Sequence, residues 1–260
     1  MQVSYPDILK GITDAMEPIT LADMKSIRLM NRTDTKFVTN KGTFLRLLEM
    51  ARDSYYIQEV EGHRVSRYRT VYWDDPERHT FFRVHHNGGK PRTKVRVRTY
   101  VDSDLTFLEV KKKDNHGKTR KERTVVSSIP AVIDTAEGES FLQEKTGLTF
   151  ADIKPAVGNR FNRITLVNKA KTERLTIDFD LQFDNFETQR TDSLDAIVVV
   201  ELKRDGRVSS PILAMLRELR IKPNGFSKYC IGSALTNADL KQNRFKEKLR
   251  TINRIAAADN

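Results

Sequence analysis

The stretch from Lys94 to Lys113, KVRVRTYVDSDLTFLEVKKK, predicts two β-strands joined by a tight turn at Asp102-Ser103-Asp104. Polar and apolar residues alternate in both strands, and successive side chains of a strand point to opposite faces. Each strand therefore has one apolar face and one charged face. The charged faces carry Lys94, Arg96, Arg98 and Tyr100 in the first strand, and Phe107, Glu109, Lys111 and Lys113 in the second.

This charged face is almost entirely cationic, although like charges on neighbouring strands repel each other. An ordinary solvated face of a half-buried hairpin is the alternative interpretation. The same alternation, however, returns on at least six predicted strands, which carry Lys36, Arg96 and Arg98, Glu109 and Lys111, Lys121 and Arg123, Arg174, and Glu201 and Lys203. Burying so many cations without anions would cost several kcal/mol per ion. The pattern therefore predicts a closed barrel whose lumen holds a strongly anionic ligand or, alternatively, is filled with water.

Segments with helical periodicity flank these strands. Helices are predicted to begin at Thr20, Asn40, Ser140 and Ser210, and a basic amphipathic helix is predicted over residues 237–256. The segment from Tyr55 to Val84 is predicted to form two or three strands, and Phe183 to Asp195 to form a loose loop. The expected fold class is α+β, an antiparallel β-barrel tunnel with helices packed outside and a C-terminal helix. We expect one domain over residues 1–260, with its core at about 28–232.

Composition points to an anionic partner. The 260 residues carry a formal net charge of +11, with 31% charged and 38% hydrophobic residues. Nucleic acid, membrane headgroups and a polyanionic small ligand would all suit this charge. The basic strands lack the interleaved aromatic residues of a base-stacking surface, which disfavours nucleic acid. The single cysteine, Cys230, excludes an intramolecular disulfide. Without a leader pattern or a stretch of membrane-spanning length, we expect a cytoplasmic protein.

The residue types on the charged faces suit a polyphosphate or nucleoside triphosphate. Arginine bonds two phosphate oxygens through its planar fork, and lysine adds point charge. A carboxylate such as Glu201 suits a hard divalent cation that bridges phosphate oxygens. The sequence contains no GxxxxGK[ST] loop, no GxGxxG after a strand, no nucleophile elbow and no zinc-ligand spacing. A P-loop and a dinucleotide-binding fold are therefore not supported.

Eight short motifs follow one another between about residues 28 and 232: Arg32-Thr-Asp-Thr-Lys36-Phe37, Lys94-Val-Arg-Val-Arg-Thr-Tyr100, Glu109-Val-Lys-Lys-Lys113, Lys121-Glu-Arg123, Phe161-Asn-Arg163, Arg174-Leu-Thr-Ile-Asp178, Val200-Glu-Leu-Lys203 and Phe226-Ser-Lys-Tyr229. With these motifs the sequence resembles the VTC domain. This is the catalytic domain of vacuolar transporter chaperone polyphosphate polymerases, in the CYTH or triphosphate tunnel metalloenzyme superfamily. The superfamily's ExExK signature is altered here to Arg32-x-Asp34-x-Lys36, which argues against a cage of several carboxylates around a metal.

The resemblance implies a role for individual residues inside a basic tunnel. Its implied catalytic residues are Lys36, Arg96, Arg98, Lys111, Lys121, Arg163, Arg174 and Glu201. Further implied phosphate-binding residues are Arg32, Lys94, Arg123, Lys203, Ser227 and Lys228. The carboxylate of Glu201 is the implied ligand of Mn²⁺ or Mg²⁺.

The activity implied by the resemblance is transfer of the γ-phosphoryl group of ATP to a growing inorganic polyphosphate chain. The acceptor is already an anionic oxygen, so the transfer requires no general base. A tripolyphosphatase of the same fold is the nearest enzymatic alternative, with Asp178, Asp180 or Glu109 positioning water. A non-catalytic module that binds polyphosphate or inositol pyrophosphates and regulates a membrane partner is the alternative from another class. Specific nucleic-acid binding is not expected.

Overall fold

The computed structural model describes residues 4–24, 27, 32–127, 136–206 and 208–258. Within these residues, eleven strands form one sheet. They are β1 (Pro18–Thr20), β2 (Arg32–Asn40), β3 (Tyr55–Glu59), β4 (Ser66–Asp74), β5 (Arg92–Tyr100), β6 (Leu105–Lys113), β7 (Thr119–Val125), β8 (Lys154–Asn168), β9 (Glu173–Asn185), β10 (Thr191–Leu194) and β11 (Ile197–Asp205).

Eight of these strands follow one antiparallel path in the order β2-β11-β9-β8-β4-β5-β6-β7. The short strands β1, β3 and β10 pair beside this path. The two end strands, β2 and β7, are not paired with each other within the described residues. Nevertheless Lys36 of β2 and Lys121 of β7 line one cavity. The sheet therefore curls into the predicted tunnel.

The hairpin of β5 and β6 has the predicted faces. Arg96 lies opposite Glu109, and Val97 lies opposite Leu108. On the outer face, Val95, Val97, Leu108 and Val110 are buried with Trp73 in one apolar cluster. The turn is a short 3₁₀ segment that ends at Asp104, whose positive φ lies in the left-handed region that aspartate tolerates.

Helices cover the outside of the tunnel. They are α1 (Tyr5–Ala15), α2 (Leu21–Met24), α3 (Lys41–Ala51), α4 (Thr80–His86), α5 (Ala136–Thr146), α6 (Pro211–Glu218), α7 (Lys228–Thr236) and α8 (Lys246–Ala257). Apolar residues of α1, α3 and α6 pack on the outer faces of β2, β11, β9 and β8. Leu142 of α5 packs on the outer face of the β5–β6 hairpin. Among the described residues, no helix is long and apolar enough to cross a membrane.

Helix α7 fills one end of the tunnel. Its residues Tyr229, Cys230 and Ile231 are buried with apolar side chains from the inner faces of the strands. A Cβ atom added to Gly232 would lie 2.4 Å from the ring of Phe183. Only glycine therefore allows α7 to approach β9 this closely. Side chains of the strands line the remaining part of the tunnel, which α7 does not fill.

The inner face of the barrel changes from apolar to charged along its strands. On β11, for example, Ile197 and Val199 belong to the apolar interior, whereas Glu201 and Lys203 line the cavity. On β9, Leu181 and Phe183 are likewise apolar, and Asp178 is charged. The tunnel therefore has an apolar half around α7 and a charged half that forms the cavity.

The structure corrects the predicted strand over Thr80–Val84, because these residues belong to helix α4. The carboxylate of Asp74 accepts the backbone N–H groups of Phe81 and Phe82 at 2.9 Å each. These bonds satisfy two free donors of the first helical turn. Phe82 is then buried against Tyr229 and Phe245. These contacts with residues distant in the sequence override the β propensity of Phe-Phe-Arg-Val.

Four other boundaries differ from the sequence-based expectation. Helix α5 spans Ala136–Thr146, so Ser140, the predicted start, lies inside the helix. Helix α8 begins at Lys246 rather than at residue 237, because Asn237 caps α7 and its side chain accepts from the N–H of Asp239 in a turn. The expected loop from Phe183 to Asp195 contains the end of β9 and strand β10. Helix α1 has no counterpart among the predicted helices, although Ser4 accepts the N–H of Asp7 and caps it.

Candidate functional site

A cavity of about 370 Å³ occupies the charged half of the tunnel. Ten lysine and arginine side chains line it, against three carboxylates. The cations are Lys36, Lys94, Arg96, Arg98, Lys111, Lys121, Arg163, Arg174, Lys203 and Lys228, and the carboxylates are Asp34, Asp178 and Glu201. This leaves an excess of seven positive charges on the wall. A cavity with such a charge attracts anions strongly.

A larger groove of about 840 Å³ lies outside the barrel, between α1, α3 and the outer side of β8 and β9. Its charges are mixed, and Lys41 and Asp180 within it form an ion pair at 2.6 Å. The smaller cavity is the stronger candidate, because cationic side chains converge on it from seven strands and helix α7.

Glu109 lies beneath the cavity wall and holds two of its cations. Its side chain is 1% exposed, and its Oε2 accepts from the Nε of Arg96 at 2.5 Å. The ammonium group of Lys121 contacts its other oxygen, Oε1. Burial alone would raise the pKa of Glu109, but the charges of Arg96, Arg98 and Lys121 outweigh it and lower the pKa to about 2. Glu109 therefore stays ionised and fixes the two cations.

Asp178 has a similar place on β9. Its Oδ1 accepts from the Nε of Arg163 at 2.5 Å and its Oδ2 accepts from Nη2 at 2.8 Å. Such a bidentate pair is among the stronger hydrogen-bonded contacts of proteins. The ammonium group of Lys228, at the start of α7, contacts Oδ2 as well. Burial acts to raise the pKa of Asp178, but Arg163 and Lys228 lower it far below its usual range. Asp178 thereby connects α7 to the barrel wall.

Glu201 is the most exposed of these three ion-paired carboxylates, with 22% of its side chain accessible. Lys203 contacts its Oε2, the Oγ1 of Thr176 lies 3.5 Å from that oxygen, and Lys36 lies 3.9 Å from Oε1. Burial opposes ionisation, but Lys203 and Lys36 lower the pKa of Glu201 to about 2. Glu201 is therefore an ionised carboxylate that faces the cavity.

Three cations of the wall lack such a partner. Within the described residues, no carboxylate oxygen lies within 4.0 Å of Lys94, Arg98 or Lys111. Burial and the nearby Lys36 lower the pKa of Lys94, to about 8, and that of Lys111. Arg98 is 7% exposed, and its guanidinium donates to the Oγ1 of Thr70 at 3.1 Å. An anion in the cavity would supply the missing partner.

The N-terminus of α7 forms one wall of the cavity. Ser227 caps the helix by accepting from the N–H of Cys230 at 3.2 Å, and its Oγ also accepts from the Nζ of Lys94 at 2.9 Å. The carbonyl oxygen of Phe226 accepts from the Nζ of Lys36 at 2.8 Å. Burial lowers the pKa of Lys228 to about 8 despite its contact with Asp178. The start of the helix therefore holds lysines from β2 and β5 in place.

Of the fourteen predicted site residues, eleven line the cavity and Ser227 lies directly beside it. Arg123 does not line it, although Lys121 of the same strand does, because the guanidinium of Arg123 stacks on the ring of Phe107 at 4.2 Å. The side chain of Arg32 lies outside the described residues. The roles assigned to all these residues stay predictions.

Several lining residues are absent from the sequence-based prediction. Tyr68 and Tyr72 line the cavity, together with Tyr100, which the sequence places on the charged face without a role, and the ring of Tyr68 stacks on that of Phe161 at 5.1 Å. Tyr68, Thr70 and Tyr72 alternate along β4, a pattern that could have placed both tyrosines on the inner face. Asp180, one of the predicted water-positioning acids, lies outside the cavity and pairs with Lys41 and Asn162.

The carboxylates of the cavity do not form a metal cage. Among the described residues, no group of three or more His, Cys, Asp and Glu side chains could hold a metal ion. All three carboxylates are paired with cations, but Glu109 and Asp178 are almost fully buried, whereas Glu201, beside the hydroxyl of Thr176, is partly accessible. Mg²⁺ is often held by one or two carboxylates together with phosphate oxygens of the substrate. The donor set around Glu201 fits that arrangement.

The sequence model of the VTC domain matches residues 31–237, which include every element that lines the cavity. The chain belongs to the VTC domain family. No curated protein matches it. Among solved structures, HpAC1 of Hippeastrum, a candidate adenylyl cyclase with a dominant triphosphatase activity, is 12% identical. The match covers 80% of this chain and 97% of HpAC1, with a TM-score of 0.50. This likeness shows that the VTC domain shares its fold with HpAC1.

Two bacterial structures are also similar to this VTC domain. A candidate adenylate cyclase of Bacillus halodurans is 13% identical, with 76% of this chain and 96% of that chain covered and a TM-score of 0.47. Another from Vibrio parahaemolyticus is 12% identical, with 78% and 99% covered and a TM-score of 0.45.

Proposed function

We propose that this VTC domain is a polyphosphate polymerase, which transfers the γ-phosphoryl group of ATP to the end of a growing inorganic polyphosphate chain. The observation that carries the proposal is the charge of the cavity. Ten cations line it, while Glu109, Asp178 and Glu201 are already neutralised by ion pairs. ATP and inorganic polyphosphate would be the substrates.

The main obstacle to this reaction is electrostatic. Donor and acceptor are both polyanions, and they must approach until the attacking oxygen and the leaving oxygen lie in line with the γ-phosphorus. Arg98, Lys94 and Lys111, which lack carboxylate partners within the described residues, have charge available for phosphate oxygens. Their fixed positions on β5 and β6 offer stabilisation without reorganisation during the reaction.

The three ion-paired acids at the cavity, Glu109, Asp178 and Glu201, are poor bases, and the proposed transfer needs none. A base that removes a proton near neutral pH works best with a pKa close to 7. The pKa values of Glu109 and Glu201 are about 2, and that of Asp178 is also strongly lowered. The terminal oxygen of polyphosphate is already an anion. Hydrolysis, in contrast, gains from a residue that positions and activates water.

We expect Mn²⁺ or Mg²⁺ to enter with the substrate and to be held by Glu201, with the hydroxyl of Thr176 beside it. When bound, the ion would neutralise charge on phosphate oxygens. Lys203, which contacts Glu201 in this structure, would then be available to bind a phosphate oxygen. A membrane-protein partner and a cytoplasmic location stay predictions from the resemblance and from the sequence.

Triphosphate hydrolysis is the second candidate function. Its support is the fold shared with HpAC1, which is described as having a dominant triphosphatase activity. The same cationic cavity would hold tripolyphosphate or ATP. The two candidates differ in the acceptor, which is water in one case and a phosphate chain in the other.

The proposal is tested by incubating the purified protein with ATP, Mn²⁺ and a short polyphosphate primer, and separating the products on a gel stained for polyphosphate. We expect a ladder of growing chains with one ADP released per phosphate added. Arg98→Gln should abolish the ladder. Lys112→Gln combined with Arg120→Gln, an opposed pair of exposed cations on β6 and β7, serves as the control. Free phosphate without a ladder would indicate the hydrolase, and binding without turnover would indicate a non-catalytic module.

A further inference from the structure

A row of cations continues from the cavity to the end of the β5–β6 hairpin. Lys94 lies directly opposite Lys111, which in turn lies opposite Lys121 on β7. Two residues further along the strands, Arg92 lies opposite Lys113. Like charges directly opposite each other destabilise a sheet. An anion bound over two successive pairs of this kind would remove the repulsion between them.

The second pair lies on the same face of the sheet as the cavity residues. Side chains two residues apart share a face, so Arg92 follows Lys94 and Lys113 follows Lys111. At about 3.4 Å per residue, the pair lies about 7 Å beyond the lining residues. Arg92 is also among the charges that act on Lys94 and on His85. The row of cations therefore extends beyond the cavity on the same face of the sheet.

Lys90 joins this pair at the turn between β6 and β7. The Nζ of Lys90 and the Cε of Lys113 each lie 3.7 Å from the point where a Cβ of Gly117 would stand. The Nζ of Lys90 is also 3.5 Å from the carbonyl oxygen of Asn115. We call Lys90, Arg92 and Lys113 the rim cluster.

Carboxylates do not neutralise the rim cluster. In the described part of the chain, none of its three residues has a carboxylate oxygen within 4.0 Å. The nearest acid in sequence, Asp114, accepts the backbone N–H of Lys118 at 2.8 Å and stabilises the turn. The cluster also adjoins an opening of the cavity, since Lys111 and Lys121 line the cavity while part of each side chain stays accessible to solvent.

We infer that the rim cluster binds the part of a polyphosphate chain that extends beyond the cavity, so that affinity rises with chain length. This inference rests on the proposed function for its ligand. A chain of three phosphates is far shorter than the row from Arg98 to Arg92, which spans six residues or about 20 Å. Only longer chains reach both ends. The rim cluster consists of three cations and contains no aromatic side chain on which a base could stack.

The test compares the affinities of the protein for tripolyphosphate and for long-chain polyphosphate by calorimetry, without ATP. The rim variant carries Arg92→Gln and Lys113→Gln. The control carries Lys112→Gln and Arg120→Gln, which removes the same charge from an opposed pair on the other face of the same sheet. We expect the rim variant to bind long chains about tenfold more weakly than wild type, equal to about 1.4 kcal/mol. Its affinity for tripolyphosphate should change less than twofold.

The control should change both affinities less than twofold, and intact tripolyphosphate binding by the rim variant would show that its cavity is folded. Equal losses for both ligands, or an equal loss in the control, would overturn the inference. So would a rim variant that loses binding to anionic lipid vesicles but keeps its affinity for long chains. This experiment measures binding only, so it is independent of the polymerase assay. A protein that builds no polymer but still binds long chains more tightly through the rim cluster would refute the proposed function and support the inference about the rim cluster.

Discussion

Arg98 differs from Arg96 and Arg163 in its surroundings. Arg96 and Arg163 are paired with Glu109 and Asp178, whereas in the described residues no carboxylate oxygen lies within 4.0 Å of Arg98. The guanidinium of Arg98 lies over the rings of Tyr68 and Phe161 at 5.6 and 5.9 Å, and that of Arg163 lies over the same rings at 4.9 and 5.3 Å. Burial lowers its pKa, which reflects the cost of this charge without a ligand. A phosphate oxygen would relieve that cost.

We therefore predict that Arg98→Gln lowers kcat/KM for ATP by about 100-fold to 1,000-fold, the usual effect of removing one donor that stabilises transition-state charge. Arg123→Gln should lower it less than threefold, since Arg123 stacks on Phe107 outside the cavity. Steady-state release of ADP measures both. Comparable losses in the two variants would mean that Arg123 reaches the substrate as the sequence predicts.

Glu109→Gln should act on stability. The substitution leaves Arg96 and Lys121 without their carboxylate. Removing one partner of a buried ion pair costs about 3–5 kcal/mol of unfolding free energy, and urea unfolding measures the loss. Glu122→Gln is the control, because Glu122 is an exposed partner of Lys145 at 2.7 Å. Exposed pairs of this kind contribute only about 0–1 kcal/mol.

Added tripolyphosphate should restore part of the stability that Glu109→Gln loses, because the ligand offers Arg96 and Lys121 a new anionic partner. An unchanged unfolding midpoint for Glu109→Gln would contradict this account of Glu109.

Strict alternation of polar and apolar residues along the strands explains why the sequence could identify most of the residues that line the cavity. Arg96, Arg98 and Lys111 stand on strands whose opposite faces are apolar, so their direction follows from the pattern. Asp180 is an exception to this alternation. Its positive φ and the irregular pairing between Arg160 and Asn162 break the alternation, and Asp180 points away from the cavity. Neither feature has a signal in the sequence.

Helix α7 is the element that shapes the cavity. It fills the apolar end of the barrel, and its first turn brings Ser227 and Lys228 to the wall of the cavity. Its position depends on Gly232, where a Cβ would lie 2.4 Å from the ring of Phe183. A larger residue at this point must push the helix away from β9.

We predict that Gly232→Ala destabilises the protein by about 1–3 kcal/mol through overpacking, despite the better helix propensity of alanine. Gly11→Ala in α1 is the matched control, because nothing lies within 4 Å of its added Cβ. It should stabilise the protein by about 0.5–1 kcal/mol. Thermal unfolding measures both changes. Phe183→Leu should recover part of the loss at Gly232, and stabilisation by Gly232→Ala alone would show that α7 is not held tightly against β9.

The helices also show what local sequence cannot determine. Helix α3 begins at Lys41, as predicted, because Asn40 caps it by accepting the N–H of Thr43 at 2.9 Å. The sequence predicts strand where helix α4 lies, and this helix forms because Asp74 at the end of β4 caps it. The cap of α3 can be predicted because Asn40 directly precedes the helix in the sequence. The cap of α4 cannot, because Asp74 lies several residues before the helix and acts together with packing against α7.

The cavity concentrates positive charge that a bound anion would neutralise. Burial lowers the pKa values of Lys94, Lys121 and Lys228 to about 8. These lysines are mostly charged at pH 7 and mostly neutral well above pH 8. A bound phosphate favours the charged form, so binding above pH 8 requires proton uptake.

The affinity for tripolyphosphate should therefore fall by at least about tenfold between pH 7.5 and 9.5, since one pKa unit corresponds to about 1.4 kcal/mol. Calorimetry at pH 9 in two buffers of different ionisation enthalpy should show net uptake of protons on binding. An affinity that is constant over this range, or release of protons, would contradict the assignment of these lysines to the binding wall.

The sequence predicts the antiparallel tunnel and its charged interior, because both follow from strand alternation. The division of the tunnel into an apolar and a charged half lies beyond that prediction. It depends on where α7 enters the barrel, and Tyr229, Cys230 and Ile231 could equally well pack outside a sheet. The position of a plug is a property of the assembled fold rather than of any one segment.

The most direct test of the polymerase is the fate of the γ-phosphoryl group. ATP labelled at its γ-phosphorus is incubated with the protein, Mn²⁺ and a short polyphosphate primer, and the label is separated into polymer, free phosphate and remaining ATP. We predict that most of the released label enters polymer that grows with time, with ADP formed in equal amount. Label that appears mainly as free phosphate while the primer keeps its length would contradict the proposal.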